Sequence, residues 1–156
     1  MVVYSLTERN LNMKNRITKK QEEKLIKLAI KARENSYCPY SGYKVGASIL
    51  ASSEKYYAGC NIENAAYSPT THAEVNAINA AVLAGERRFI ALAVITENKI
   101  PPFPCCICRQ SIAEFDDGTM EIIAANIEGT IRKIRFYELY PEPFGTKQLG
   151  VDPEKY

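Results

Sequence analysis

FIALAVI, residues 89–95, is an uninterrupted apolar run without a charged residue, the length of one strand and shorter than an ordinary helix. A strand that is apolar at every position is covered on both faces, so this run predicts the central strand of a sheet lying between two layers. Just upstream, His72 to Ala84 (HAEVNAINAAVLA) is alanine-rich and closed by Gly85, which predicts a buried helix with Thr71 as its N-cap. Just downstream, the loop Pro101 to Pro104 ends the strand region, and Cys106 to Phe115 predicts a helix terminated near Asp116-Asp117-Gly118. Farther out, Tyr43 to Leu50 alternates Val45, Ala47 and Ile49 with other residues, and a polar turn around Ser52-Ser53-Glu54 joins it to Lys55–Cys60 as a hairpin. Met120 to Ala125 and Thr130 to Phe136 predict two more strands. A first helix begins at Thr18, with Gln21 reaching back to the cap and Leu25, Leu28, Ala29 and Ala32 forming one apolar stripe, and it stops before Cys38-Pro39. The order αββαβαββ predicts an α/β fold, a three-layer α/β/α sandwich around a mixed sheet of about five strands.

At 156 residues the chain fills one core and would starve a second. A single domain over 18–156 is expected, with 1–17 a flexible lead-in and an irregular tail after Tyr140 that reaches a neighbouring subunit. Charge disfavours nucleic-acid binding. Twenty basic residues stand against 18 acidic ones, a net +2, too weak a field to gather nucleic acid. No apolar run approaches the roughly 20 residues that span a bilayer, and the start lacks a basic region followed by an apolar core, so no membrane partner and a cytoplasmic location are expected.

His72 is the sole histidine of the chain, and three of the five cysteines crowd together as Cys105, Cys106 and Cys108. The C-x-x-C spacing of Cys105 and Cys108 lets two thiolates at a helix start converge on one metal, and the free N–H groups there favour anionic sulfur. Taken alone, that spacing serves a redox pair, a structural zinc knuckle or an open zinc site. A structural site wants four protein ligands, whereas His72, Cys105 and Cys108 make three and leave a tetrahedral position for water. Cys106 is set aside because neighbours on a helix point about 100° apart. Cys38 and Cys60 read as small buried residues.

Glu74 follows His72 by two residues. The T-x-x-E spacing from Thr71 also permits a capping box, so one carboxylate has two readings. A carboxylate beside a metal-bound water can take up and hand on protons during hydrolysis, which is the other reading.

The H-x-E…P-C-x-x-C arrangement is that of zinc-dependent deaminases. With HAE at 72–74, PCCICRQ at 104–110, YCPYS at 37–41, Val45-Gly46-Ala47 and GCNIENAAY at 59–67, the chain resembles the cytidine deaminase family over nearly its whole folded length. The resemblance implies a cytidine deaminase-like fold, one zinc ion per subunit held by His72, Cys105 and Cys108, and Glu74 as the proton carrier. It implies hydrolytic deamination of cytidine and deoxycytidine to the uridines in pyrimidine salvage. Asn61 and Glu63 would meet the ribose hydroxyls, Tyr43 would line the pyrimidine pocket where the family usually has phenylalanine, and the Ala73 N–H would meet the pyrimidine carbonyl. Phe144 is similar to an aromatic that enters a neighbour's site, and Tyr67 falls where subunits meet, implying a homotetramer with composite sites.

Short members of the family commonly have CAER where this chain has His72-Ala73-Glu74-Val75. A zinc ion with one histidine and two thiolates is formally neutral and has less need of that arginine, while Arg109 is expected to donate to a thiolate. Cys106 stands where the family usually has glycine. Rival readings are deamination of another cytosine-bearing small molecule such as a nucleoside antibiotic, of tRNA adenosine, or a non-catalytic zinc-binding module. The Asn-x-Glu-Asn block at 61–64 and the near-neutral charge disfavour the tRNA reading.

Overall fold

The computed structural model describes residues 17–156. The lead-in expected over 1–17 thus lies outside the described residues except for Ile17, which packs against one of the two cores. A capping box at Thr18 opens α1 (Lys19–Glu34): the Thr18 hydroxyl accepts from the Gln21 N–H at 3.2 Å, and Gln21 Oε1 accepts from the Thr18 N–H at 2.8 Å. The remaining elements are β1 (Gly46–Ala51), β2 (Tyr56–Cys60), α2 (Ala73–Leu83), β3 (Phe89–Thr96), α3 (Cys106–Ala113), β4 (Glu121–Asn126) and β5 (Ile131–Arg135). Short turns α4 (Phe136–Leu139) and α5 (Thr146–Leu149) and a 3₁₀ turn at Pro153–Lys155 follow. The segment beyond Tyr140 is therefore partly helical, where the sequence reading expected an irregular tail.

The strand order is β2-β1-β3-β4-β5, antiparallel except for the parallel β3–β4 pair, as the mixed five-stranded sheet requires. Alternation along β3 sorts the side chains. Ala91, Ala93 and Ile95 face α1 through Leu25 and Ala29, while Leu92 and Val94 join Ala73, Ala77, Ile78 and Ala81 of α2 and Ile112 of α3 on the other face. FIALAVI is continuously apolar because both faces are buried. Phe89 breaks the alternation: the register shift between Leu50 and Ala51 makes Ala51 pair with Phe89 and skip Ile90, so the Phe89 ring turns to the α2 side.

Two boundaries differ from expectation for physical reasons. Residues 43–45 precede β1 because the Asn61 side chain takes the place of a strand partner, accepting from the Val45 N–H at 2.9 Å and donating to the Tyr43 carbonyl at 2.8 Å. The N-cap of α2 is His72, where Thr71 was expected. Thr71 is instead paired with Ile62 through both of its backbone groups, each at 2.9 Å.

Glycine lets α2 lie directly on β2. A Cβ added at Gly59 would sit 2.4 Å from the Ala77 nitrogen and 2.7 Å from the Ala73 oxygen, both helix backbone that has no side chain to swing away. Gly59→Ala is expected to cost about 1–3 kcal/mol of stability and to push the start of α2 off the sheet; an unchanged denaturation midpoint would contradict this packing. On the opposite layer, the half-exposed Lys133 of β5 reaches the buried Glu22 of α1 at 2.6 Å and Lys19 reaches it at 2.9 Å. Burial opposes the Glu22 charge, yet these two amines hold its carboxyl below the ordinary range. Among the described residues no helix is long and apolar enough to cross a membrane.

Candidate metal centre and pocket

The first residues of α2 and α3 meet beyond the C-terminal end of β3. His72 and Cys105 are the N-cap residues of those helices, with extended backbones (φ −81°, ψ 156° and φ −69°, ψ 172°) and no side-chain cap hydrogen bond at either. Both side chains are thus released from capping and turn to the same point. Cys108, in the first turn of α3, is fully buried. His72 Nδ1 lies 3.2 Å from Cys108 Sγ and 3.3 Å from Cys105 Sγ, and the two sulfurs are 3.7 Å apart.

These separations fit zinc. Usual Zn–S and Zn–N bond lengths in a tetrahedron give edges of about 3.8 Å between sulfurs and about 3.5 Å between sulfur and nitrogen. Electrostatics point the same way. Burial pushes the Cys108 thiol far up, and the adjacent Glu74 and Cys105 push it further, so in the absence of a cation the sulfur keeps its proton. A divalent cation supplies the charge that lets both thiols ionise. Three donors leave a tetrahedral ion one position for water. Among the described residues His72, Cys105 and Cys108 are the grouping able to hold a metal, and the exposed Cys106 lies outside it.

Glu74 is 5% exposed and lines the same cavity as His72 and Cys105, with its carboxyl near enough to Cys108 for the two groups to act on each other's charge. Burial raises its carboxyl above the ordinary range, against its own N–H, Cys108 and His72, which favour the charge. With His72 as the cap, the box from Thr71 to Glu74 does not form, and the carboxylate is available at the cluster. Arg109 corrects another expectation: its Nε donates to the Pro104 carbonyl at 2.7 Å and a terminal nitrogen to Leu139 at 3.4 Å, so it braces the backbone ahead of Cys105 and does not donate to a thiolate.

A cavity of about 340 Å³ opens over the cluster, within the usual size of small-molecule sites. Tyr43, Asn61, Glu63, Ala73 and Glu74 line it together with His72 and Cys105. Its walls also include Thr70, from the loop leading into α2, and Ser41 and Phe103, to which the sequence assigned no contact. Ser41 explains the state of Glu63. The Ser41 hydroxyl donates to one carboxylate oxygen and the Tyr40 and Ser41 N–H groups to the other, at 2.9 and 3.2 Å, which holds the Glu63 carboxyl below the ordinary range although partial burial acts against it. The Tyr43 hydroxyl donates to Asn98 Oδ1. Phe103 is backed by the Arg132 guanidinium 4.5 Å from its ring centre. Tyr67 and Phe144 are 78% and 64% exposed and lie outside the lining.

Comparison with known proteins bears on this geometry. Residues 19–124 match the family described as "Cytidine and deoxycytidylate deaminase zinc-binding region". A cytidine deaminase from Sporosarcina psychrophila is 45% identical over 133 residues, 85% of this chain and 98% of the relative, and one from Halalkalibacterium halodurans is 40% identical, covering 81% and 96%. The crystal structure of cytidine deaminase from Burkholderia pseudomallei superposes with a TM-score of 0.76 at 38% identity, covering 82% of this chain and all of that one. The family match spans both halves of the metal cluster, the start of α2 and the start of α3. With that match and those identities, the chain belongs to the cytidine and deoxycytidylate deaminase zinc-binding family.

Proposed function

We propose that this protein catalyses the hydrolytic, zinc-dependent deamination of cytidine and deoxycytidine to uridine and deoxyuridine. The observation that carries the reading is the buried Glu74 carboxyl beside a three-donor cluster, lining with His72 and Cys105 a cavity of about 340 Å³. His72, Cys105 and Cys108 would hold the zinc, which when bound brings the pKa of a water down to about 7 and so makes a nucleophile available at neutral pH. Glu74 takes a proton from that water as oxygen adds to C4 and returns it to ring nitrogen N3. It then transfers the second proton of the water to the exocyclic amine. The C4–N bond breaks, ammonia leaves, and C4 keeps the oxygen as a carbonyl.

The remaining contacts divide by chemistry. Glu63, kept ionised by Ser41, is an acceptor for ribose hydroxyls, whereas Asn61, expected to meet them too, has its amide bonded to the Val45 N–H and the Tyr43 carbonyl and fixes the edge of the cavity beside Glu63. The N–H of Ala73, in the uncapped first turn of α2, points the positive end of a helix at the pyrimidine carbonyl. Tyr43 packs the base. The exposed Phe144 and Tyr67 serve neighbouring copies in a homotetramer with composite sites, and nucleoside salvage in the cytoplasm is the setting. Mixing inactive Glu74→Gln chains with Phe144→Ala chains is expected to restore turnover, because some sites then receive both intact groups; no recovery after verified exchange of subunits would contradict the shared site. Loss of cytidine's absorbance on incubation with zinc-loaded protein tests the function itself, and inertness towards cytidine and deoxycytidine would sink it.

A further inference from the structure

One side chain joins the two halves of the site. Asn76, on the second turn of α2, donates from Nδ2 to the Cys60 carbonyl at 2.8 Å and to the Thr71 hydroxyl at 2.9 Å. Cys60 immediately precedes Asn61, the start of the segment that lines the sugar side of the cavity. Thr71 immediately precedes His72. A single amide group is therefore bonded to the residue ahead of the sugar-side segment and to the residue ahead of the first metal donor.

The surroundings make that connection short and stiff. Gly59 brings the backbones of β2 and the first turns of α2 into direct contact, which is what puts Cys60 within reach of Asn76. Between the two bonded residues the chain leaves and returns through a loop whose ends are locked by the paired Ile62 and Thr71, and the Thr70 hydroxyl accepts from the Asn64 N–H at 3.1 Å. The loop is thus a closed unit. Asn76 fastens its base to the helix that carries Glu74.

We propose that Asn76 is a positioning residue that sets the distance between the sugar-holding carboxylate of Glu63 and the reacting centre at His72 and Glu74. The inference rests on the functional reading above and adds to it a residue that touches neither substrate nor metal. Its consequence follows from how remote binding is used: contacts to the sugar raise the rate at C4 only while the two ends of the site are held in register. A misplacement of about 1 Å costs as much as 10²-fold.

The test combines Asn76→Ala, which removes both donors, with Glu63→Gln, alone and together. Asn76→Ala is expected to lower kcat/KM for cytidine about tenfold or more, with zinc near one per chain and the melting temperature little changed. The loss caused by Glu63→Gln should be much smaller in the Asn76→Ala background, because the sugar contact is already uncoupled from the chemistry. The near-isosteric Asn76→Asp, which keeps the shape but cannot donate to the Cys60 carbonyl, should also lower kcat/KM. Losses that multiply independently, unchanged kcat/KM, or departure of zinc from Asn76→Ala would overturn the proposal. Amide hydrogen exchange tests the same link without substrate: the Ile62 and Thr71 N–H groups should exchange faster in Asn76→Ala while β3 stays unchanged, and equal rates would count against Asn76. A wild-type enzyme inert towards cytidine would instead count against the functional reading.

Discussion

Glu74→Gln is expected to keep its zinc and its fold while turnover drops by about 10²–10⁴-fold, the share ordinarily carried by a general acid–base group. The substitution is nearly isosteric, and the position is 5% exposed, so the amide occupies the same space on the first turn of α2. Metal retention follows because the three donors are His72, Cys105 and Cys108, and removing a carboxylate beside Cys108 eases ionisation of that thiol. What is lost is a group able to accept and release protons. Glutamine can hydrogen-bond the water and the ring nitrogen but moves a proton to neither. Metal content and steady-state rates on the same preparation check the prediction, and retention of more than a tenth of wild-type turnover would mean that another group moves the protons.

Cys108→Ala should abolish zinc binding and with it all measurable turnover. Cys108 is the fully buried member of the cluster, within 3.7 Å of Cys105 Sγ and 3.2 Å of His72 Nδ1. With it gone, two donors remain, one of them exposed, and no longer define a tetrahedral site. The contrast is Cys106→Ala. Cys106 is exposed and outside the cluster, and its alanine variant should bind one zinc per chain. Zinc analysis of the two variants separates a three-donor site from one that recruits Cys106; zinc retained in Cys108→Ala and lost from Cys106→Ala would reverse the assignment.

The legible parts of the chain were those where local pattern and tertiary demand agree. FIALAVI reads as a two-faced strand because its residues meet α1 on one side and α2 with α3 on the other. The metal donors and Glu74 were legible because helix starts impose fixed offsets, two residues from His72 to Glu74 and three from Cys105 to Cys108. The illegible parts depend on partners far away in sequence. Nothing near Glu63 announces that Ser41, 22 residues earlier, holds its carboxylate, nor does the neighbourhood of Arg109 announce the Leu139 carbonyl. Thr71 has a better capping side chain than His72, but its backbone pairing with Ile62 outweighed that preference and moved the helix start by one residue. Gly59 showed its purpose only when α2 was seen lying against it.

The most direct measurement is zinc stoichiometry and cytidine turnover followed together on one sample, as purified, after chelation and after zinc is restored. The account predicts about one zinc per chain, uridine and ammonia formed in equal amounts, loss of both metal and turnover on chelation, and recovery of both with zinc. Full turnover by metal-free protein, or a zinc-replete protein that leaves cytidine and deoxycytidine unchanged, would contradict it.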